Sequence, residues 1–188
     1  MIQVLVTLSD RLTQGLDRLA PEILPLLARL VFAGVLFGYF WSSALTKLGP
    51  GLLTPSVGAY AQIFPRALEA AGYDASQLGL WPRLVVLAGT WAEFVLPLMI
   101  VAGLLARLAA LGMIGFVVVQ SLTDVVGHGV TGAALGGWFD RVPDALIVDQ
   151  RALWTMLLLV IVMLGAGGLS ADRWLQSVRR KQPRGQKT

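Results

Sequence analysis

The chain contains no cysteine and a single histidine, His128. That composition excludes a disulfide, a dithiol redox centre, a cysteine-ligated iron–sulfur cluster and covalent attachment of c-type haem. Two histidine ligands to one haem cannot come from this chain either. Any redox role therefore falls to a bound organic cofactor or to a partner subunit. Charge is also scarce: 14% of residues are Asp, Glu, Lys or Arg, against about one quarter in an ordinary soluble domain. No strand-like pattern is present, no glycine-rich loop of the phosphate-cradling kind, and no nucleophilic triad.

What is abundant is apolar length. Hydrophobic residues make up 56% of the chain and the mean hydropathy is +0.71, gathered into several long runs. This is the pattern of an all-α polytopic membrane protein: a four-transmembrane-helix bundle with an N-terminal amphipathic helix. The clearest run is Leu84–Leu105, about 22 residues and about 33 Å of helix, enough to cross the hydrocarbon of a bilayer. Only Glu93 interrupts it with charge. A carboxylate at that depth costs roughly 2.5–3.5 kcal/mol on insertion scales for charged groups, so Glu93 is expected to face a partner, a cavity or a ligand.

Taken in order, residues 2–19 place Leu5, Leu8, Leu12, Leu16 and Leu19 at helical spacing, with Asp10, Arg11, Asp17 and Arg18 between them. Residues 1–20 are therefore expected as an interfacial helix, retained because signal-peptide features are missing. Pro21 and Pro25 are expected to turn the chain into a membrane domain spanning 21–175. Its first span is Leu24–Leu45, with Arg29 expected to snorkel to one interface and to pair there with Glu22. Gly34 and Gly38 form a GxxxG face expected to meet a neighbouring helix, and Lys47 is expected as a headgroup anchor outside the far end. The prolines of residues 48–82 forbid one long helix; 57–64 and 66–71 read as short surface helices in an ordered cap.

Span two, Leu84–Leu105, offers Ala88 and Ala92 as a second small-residue face, with a kink expected at Pro97. Arg107 sits in the short connection to span three, Leu108–Val126. A second loop, 127–152, precedes span four at Ala152–Leu169, with Trp154 and Trp174 expected at the two interfaces. Residues 176–188 form a basic tail. Ten Lys and Arg fall on the side of the termini and five on the other, which places both termini in the cytoplasm of a cell inner membrane. The excess of basic residues, net charge +4, lies mostly in that tail, where no aromatics interleave, so nucleic acid is not the expected partner. The lipid bilayer is.

Polar groups gather in the outer halves of the spans. Ser43, Glu93, Gln120, Asp124 and Thr155 are the candidates for a ligand pocket or proton relay opening outward, with Glu93 as its floor. Glu93 alternatively serves as structural glue, and its catalytic involvement is open. No basic residue in the spans matches its depth, so a neutral carboxyl donating a hydrogen bond is expected. Asp124 and His128, four apart, form a weak metal-ligand pair, with a surface hydrogen bond as the alternative. Arg29, Lys47 and Arg107 are the structural or interface anchors.

The order of these features resembles the DoxX family of small four-helix bacterial membrane proteins. The motifs are LLARL around Arg29, Thr46-Lys47-Leu48, TWAEFVLPLMIVAGLLARLAAL around Glu93 and Arg107, and the closing Gly168-Leu169-Ser170-Ala171-Asp172-Arg173. The likeness covers about residues 21–175 and departs from the family at Ser43-Ala44, where members often carry glycine. It implies association with membrane oxidoreductase systems. Some members resemble a subunit of thiosulfate:quinone oxidoreductase, and others accompany redox-stress or metal-handling proteins. No shared catalytic set follows. The expected function is a membrane subunit or accessory protein of a redox system, with a quinone or lipid-like ligand and a membrane or periplasmic redox partner. A small transporter or metal-handling protein, or a non-catalytic scaffold, are the alternatives.

Overall fold

The computed structural model describes residues 2–181; Met1 and residues 182–188, including Arg184 and Lys187 of the expected tail, lie outside the described residues. Helix α1 spans Ile2–Phe32 and continues through a π-helical segment, Ala33–Phe37, into α2, Gly38–Lys47. The chain then forms a short antiparallel hairpin, β1 (Leu48–Gly51) and β2 (Thr54–Pro55), followed by α3 (Val57–Ile63) and α4 (Pro65–Ala70). Helices α5 (Leu80–Ala102) and α6 (Ala106–Leu122) come next, then a second π-helical segment, Thr123–Gly127. Helix α7 (Val148–Leu164) and α8 (Ala171–Lys181) complete the fold. Among the described residues, three stretches are long and apolar enough to cross a membrane: Ile2–Lys47, Leu80–Ala102 and Ala106–Gly127. Helix α7 is 17 residues long and packs against α6 and α1, while α5 packs against α2 and α6.

Several expectations are corrected. Pro21 and Pro25 lie inside α1, so the chain does not turn there and the N-terminal segment is continuous with the first apolar stretch. Each proline removes one N–H from the helical ladder without breaking it here, and Pro25 is fully buried. The 48–55 hairpin was not expected. Gly49 permits it, because a β-carbon there would lie 2.7 Å from the Thr54 carbonyl oxygen. The two short helices of the cap do form, and Ser56 caps α3 by accepting from the Ala59 N–H at 3.1 Å. Helix α7 starts and stops four to five residues before the expected span. Gly165 and Gly167, with φ of 87° and 73°, end it early, and Arg151 falls inside its first turn. Trp154 is not an interface anchor alone: its ring packs 6.1 Å from Phe40 and 5.5 Å from Tyr39.

The GxxxG face is the largest departure in packing. No heavy atom lies within 4 Å of a β-carbon built at Gly34 or Gly38. The core face of this rod belongs instead to Phe32, Leu36, Phe40 and Ala44. Residues two positions along a helix point about 200° apart, which turns Gly34 and Gly38 outward. A four-residue repeat gains about 40° per step in an α-helix and soon leaves its face. The π-helical turn takes in one more residue and returns the stripe to the core.

Arg29 ties the end of the bundle near the termini together. It is 7% exposed, and its guanidinium donates to the carbonyls of Ile100 (3.0 Å), Val101 (2.7 Å), Ala166 (2.7 Å) and Leu169 (2.6 Å). The Val101 carbonyl belongs to the last turn of α5, where the helix leaves carbonyls without a partner; the Ile100 carbonyl also accepts from the Gly103 N–H at 3.1 Å, and Ala166 and Leu169 lie in the turn after α7. Arg29 is therefore not a snorkelling anchor, and Glu22 pairs with Arg173 at 2.8 Å instead. Asp172 accepts from the N–H groups of Leu105 (2.7 Å) and Ala106 (3.0 Å), capping α6. Gly103 has φ 68°, and a β-carbon there would sit 2.7 Å from Ser170 Cβ and 2.9 Å from Arg29 Cζ. Because α5 and α7 end here and α6 begins here, neighbouring helices run in opposite directions.

Two substitutions test this packing in detergent melts. Arg29→Met leaves the Val101, Ala166 and Leu169 carbonyls without their donor and should cost at least about 3 kcal/mol. Gly38→Ala meets open space at helical φ and should stabilise by about 0.4–1 kcal/mol; a loss of stability there would place a helix against that face.

Candidate functional site

At the opposite end of the helices lies a cavity of about 580 Å³, within the range of small-ligand pockets. Its volume comes from small side chains: Ala88, Gly89 and Ala92 of α5 face Gly112 and Gly115 of α6 across it. The alanines read from the sequence as a helix-packing face thus border empty space. Gly112 alone approaches a neighbour closely, with Leu96 Cδ2 3.1 Å from a built β-carbon. Leu96, Phe116, Val119, Val85 and Ile63 complete the apolar lining.

The polar lining is organised as two ion pairs. Ser43 and Lys47 are one turn apart on α2 and project toward Glu93 of α5. Lys47 Nζ lies 2.9 Å from Glu93 Oε1 and 2.8 Å from Oε2, and 2.6 Å from Ser43 Oγ. Ser43 Oγ in turn donates to Glu93 Oε1 at 3.2 Å. Glu93 is 3% exposed and Lys47 5%. The expectation that no cation reaches the depth of Glu93, and with it a Lys47 in the headgroups, does not hold. A lysine side chain is long enough to fold back from the end of α2 into the core, and the hairpin fixes its backbone: the Lys47 carbonyl accepts from the Ser56 N–H at 2.9 Å.

The second pair joins Asp124 to Arg151. Asp124 lies in the π-helical segment after α6. Arg151, 8% exposed, also donates to Ser121 Oγ at 2.9 Å. Gln120 Nε2 donates to the Tyr39 hydroxyl at 3.0 Å. Gln120 Oε1 and Arg151 Nε are buried and have no hydrogen-bond partner among the described residues. His128 is exposed beside them, and its Nε2–H donates to the Gln62 carbonyl at 2.9 Å.

Ser43, Glu93, Gln120 and Asp124 share one cavity, and His128 joins its rim. Thr155 does not line it; the earlier start of α7 carries that residue a turn past Arg151. The Asp124–His128 metal pair is not assembled as a site: Asp124 is engaged by Arg151, His128 by a carbonyl, and no group of three or more metal-ligating side chains occurs among the described residues. Arg107 is exposed at the start of α6, its Nε 3.3 Å from a β-carbon built at Gly165, far from this cavity. Sequence reasoning missed Lys47, Arg151 and Tyr39 as lining residues. The four-residue spacing of Tyr39, Ser43 and Lys47 was the available signal for one polar face on α2.

A buried pair is strongly destabilised when one partner is lost, whereas replacing both with apolar groups is near neutral. Lys47→Met should cost about 3–5 kcal/mol in unfolding, and the double change Lys47→Met, Glu93→Leu should recover most of it. Equal stability of the single variant and the parent would mean that Glu93 finds its compensation elsewhere.

No curated protein and no solved structure matches the chain. The family model that does match is DoxX, over residues 24–125. That interval runs from the membrane part of α1 to the second π-helical segment, and it contains Arg29, Lys47, Glu93, Gln120 and Asp124 but neither His128 nor Arg151. It covers more than half of the sequence, and the protein belongs to the DoxX family of membrane proteins.

Proposed function

We propose that this protein is a four-span inner-membrane subunit or accessory protein of a redox system, and that its cavity takes a quinone or lipid-like ligand from the outer side. The observation that carries the reading is the cavity itself: apolar walls made from small residues, with polar groups confined to two ion pairs and their neighbours. Such a lining suits a mostly apolar molecule that carries a few oxygen atoms. The two buried polar atoms without partners, on Gln120 and Arg151, support a site completed by something other than protein.

Helix α7 serves as the fourth span, about 25 Å of helix extended by its flanking loops. Both termini are cytoplasmic. The charge distribution supports this more strongly once Arg29, Lys47 and Arg151 are set aside as buried: nine Lys and Arg remain on the side of the termini and three on the other. Glu93 is the proposed ligand-binding and proton-exchange group, with Lys47 as its counter-charge and Ser43, Gln120 and Asp124 around them.

Purification from native membranes, followed by identification of bound quinones, lipids and proteins, tests the function. A quinone or a redox protein retained by the parent and lost in Glu93→Ala of equal fold is the expected result; a preparation containing neither refutes it. A periplasm-active reporter should work when inserted at Ser76 and be silent after Thr188. The opposite pattern reverses the orientation and closes the pocket to the outer side.

A further inference from the structure

Four charged side chains line the cavity, and they cancel. Lys47 is bridged to Glu93 and Arg151 to Asp124. An anion entering the cavity must draw Lys47 or Arg151 from its carboxylate and leave that carboxylate buried without compensation. A cation meets the mirror-image cost at Lys47 or Arg151. The arrangement is therefore hostile to charge of either sign.

The hydrogen-bond inventory is less even. An ammonium has three donors, and Lys47 has three close acceptors, Ser43 Oγ and both oxygens of Glu93, at 2.6–2.9 Å. Ser43 spends its own proton on Glu93 Oε1. Neither side chain keeps a donor for a ligand. The acceptors are only partly used: Glu93 Oε2 receives one hydrogen bond, from Lys47, Asp124 is bonded through Oδ2 alone, and a carboxylate oxygen accommodates about two. Gln120 Oε1 receives none, and the buried donor left without a partner, Arg151 Nε, belongs to the Asp124 pair and not to Glu93.

From this inventory we infer that the cavity selects an uncharged ligand that donates hydrogen bonds, a hydroxyl-bearing ring or alcohol, over the corresponding carbonyl compound and over any carboxylate. The inference rests on the proposed ligand-binding role of the cavity and names the chemical class that fits it. A hydroxyl gives its proton to Glu93 Oε2 and disturbs neither ion pair. At Glu93 a carbonyl oxygen finds the neighbouring ammonium fully engaged; the spare N–H of Arg151 Nε lies at the Asp124 end of the cavity.

The test compares matched probes by anaerobic calorimetry on the whole protein in detergent: a short-chain hydroquinone, its quinone, the same ring bearing a carboxylate, and a monoacylglycerol with its fatty acid. The parent should bind the hydroquinone about tenfold more tightly than the quinone, a difference of roughly one hydrogen bond to a charged group. It should prefer monoacylglycerol to fatty acid and give no heat with the carboxylate ring. Glu93→Gln removes the spare carboxylate acceptor and leaves Lys47 without its counter-charge. That variant should lose the hydroquinone preference and gain binding of the carboxylate ring. Asp124→Asn, which leaves Arg151 uncompensated at the rim, should likewise admit the carboxylate ring, and it serves if Glu93→Gln does not fold. Tighter binding of quinone or carboxylate by the parent overturns the inference while leaving the pocket in place, as does unchanged selectivity in the folded variants. Absence of binding by every probe instead removes the ligand-binding reading on which it rests.

Discussion

A lysine ammonium and a glutamate carboxylate held 2.8 Å apart in the interior set the character of one end of this molecule. Either charge alone would be intolerable among Phe, Leu and Ala side chains. Together, with the Ser43 hydroxyl bonded to both, they form a neutral unit that the apolar surroundings accept. The pair links α2 to α5 across the wall of the cavity, and it requires Lys47 to lie at the end of its helix, where the side chain can double back. The hairpin beyond it contributes by engaging the Lys47 carbonyl through Ser56. Loop, helix end and buried charge are thus a single construction.

The other end depends on a different solution to a related problem. Helices that stop inside an apolar protein leave carbonyls and N–H groups unpaired. Arg29 supplies donors to four carbonyls at the end of α5 and in the turn after α7, and Asp172 supplies acceptors to two N–H groups at the start of α6. A charge at each helix end also has the sign that the backbone dipole favours. Gly103 leaves room for the guanidinium to enter. The closing Leu169-Ser170-Ala171-Asp172 element is therefore part of the lock: its backbone and carboxylate complete what Arg29 begins. Hydrogen bonds fill the interior around Arg29 and leave beside it a cleft of about 630 Å³ lined by Glu22, Arg107, Asp172 and Arg173, whereas at the other end the small residues of α5 and α6 leave the pocket beside Glu93.

The two π-helical segments lie where these demands meet. The first keeps Phe32, Leu36, Phe40 and Ala44 on one face and delivers Tyr39, Ser43 and Lys47 to the cavity. The second carries Asp124 to Arg151. Both place polar side chains at positions that a regular α-helix of the same sequence would rotate away. The small residues of α5 and α6 then act in two ways: Gly112 permits contact with Leu96, while Ala88, Gly89, Ala92 and Gly115 border space.

The sequence by itself determined the class of the molecule. Long apolar runs with little charge have no other stable solution than membrane helices, and the carboxylate of Glu93 within one of them required compensation. The gathering of Ser43, Gln120 and Asp124 toward the same end was legible too, because depth along a helix follows directly from residue count. What only the tertiary structure decided was partnership and facing. Lys47 and Arg151 lie beside apparent span boundaries, where sequence reads Lys47 as a headgroup anchor and leaves Arg151 in the second loop; the length of their side chains and the earlier start of α7 bring them inward. Arg29 finds carbonyls, which no side-chain pattern reveals. Gly34 and Gly38 have the spacing of a contact face but point away from the core, since helical spacing states that two residues share a face without stating what that face meets.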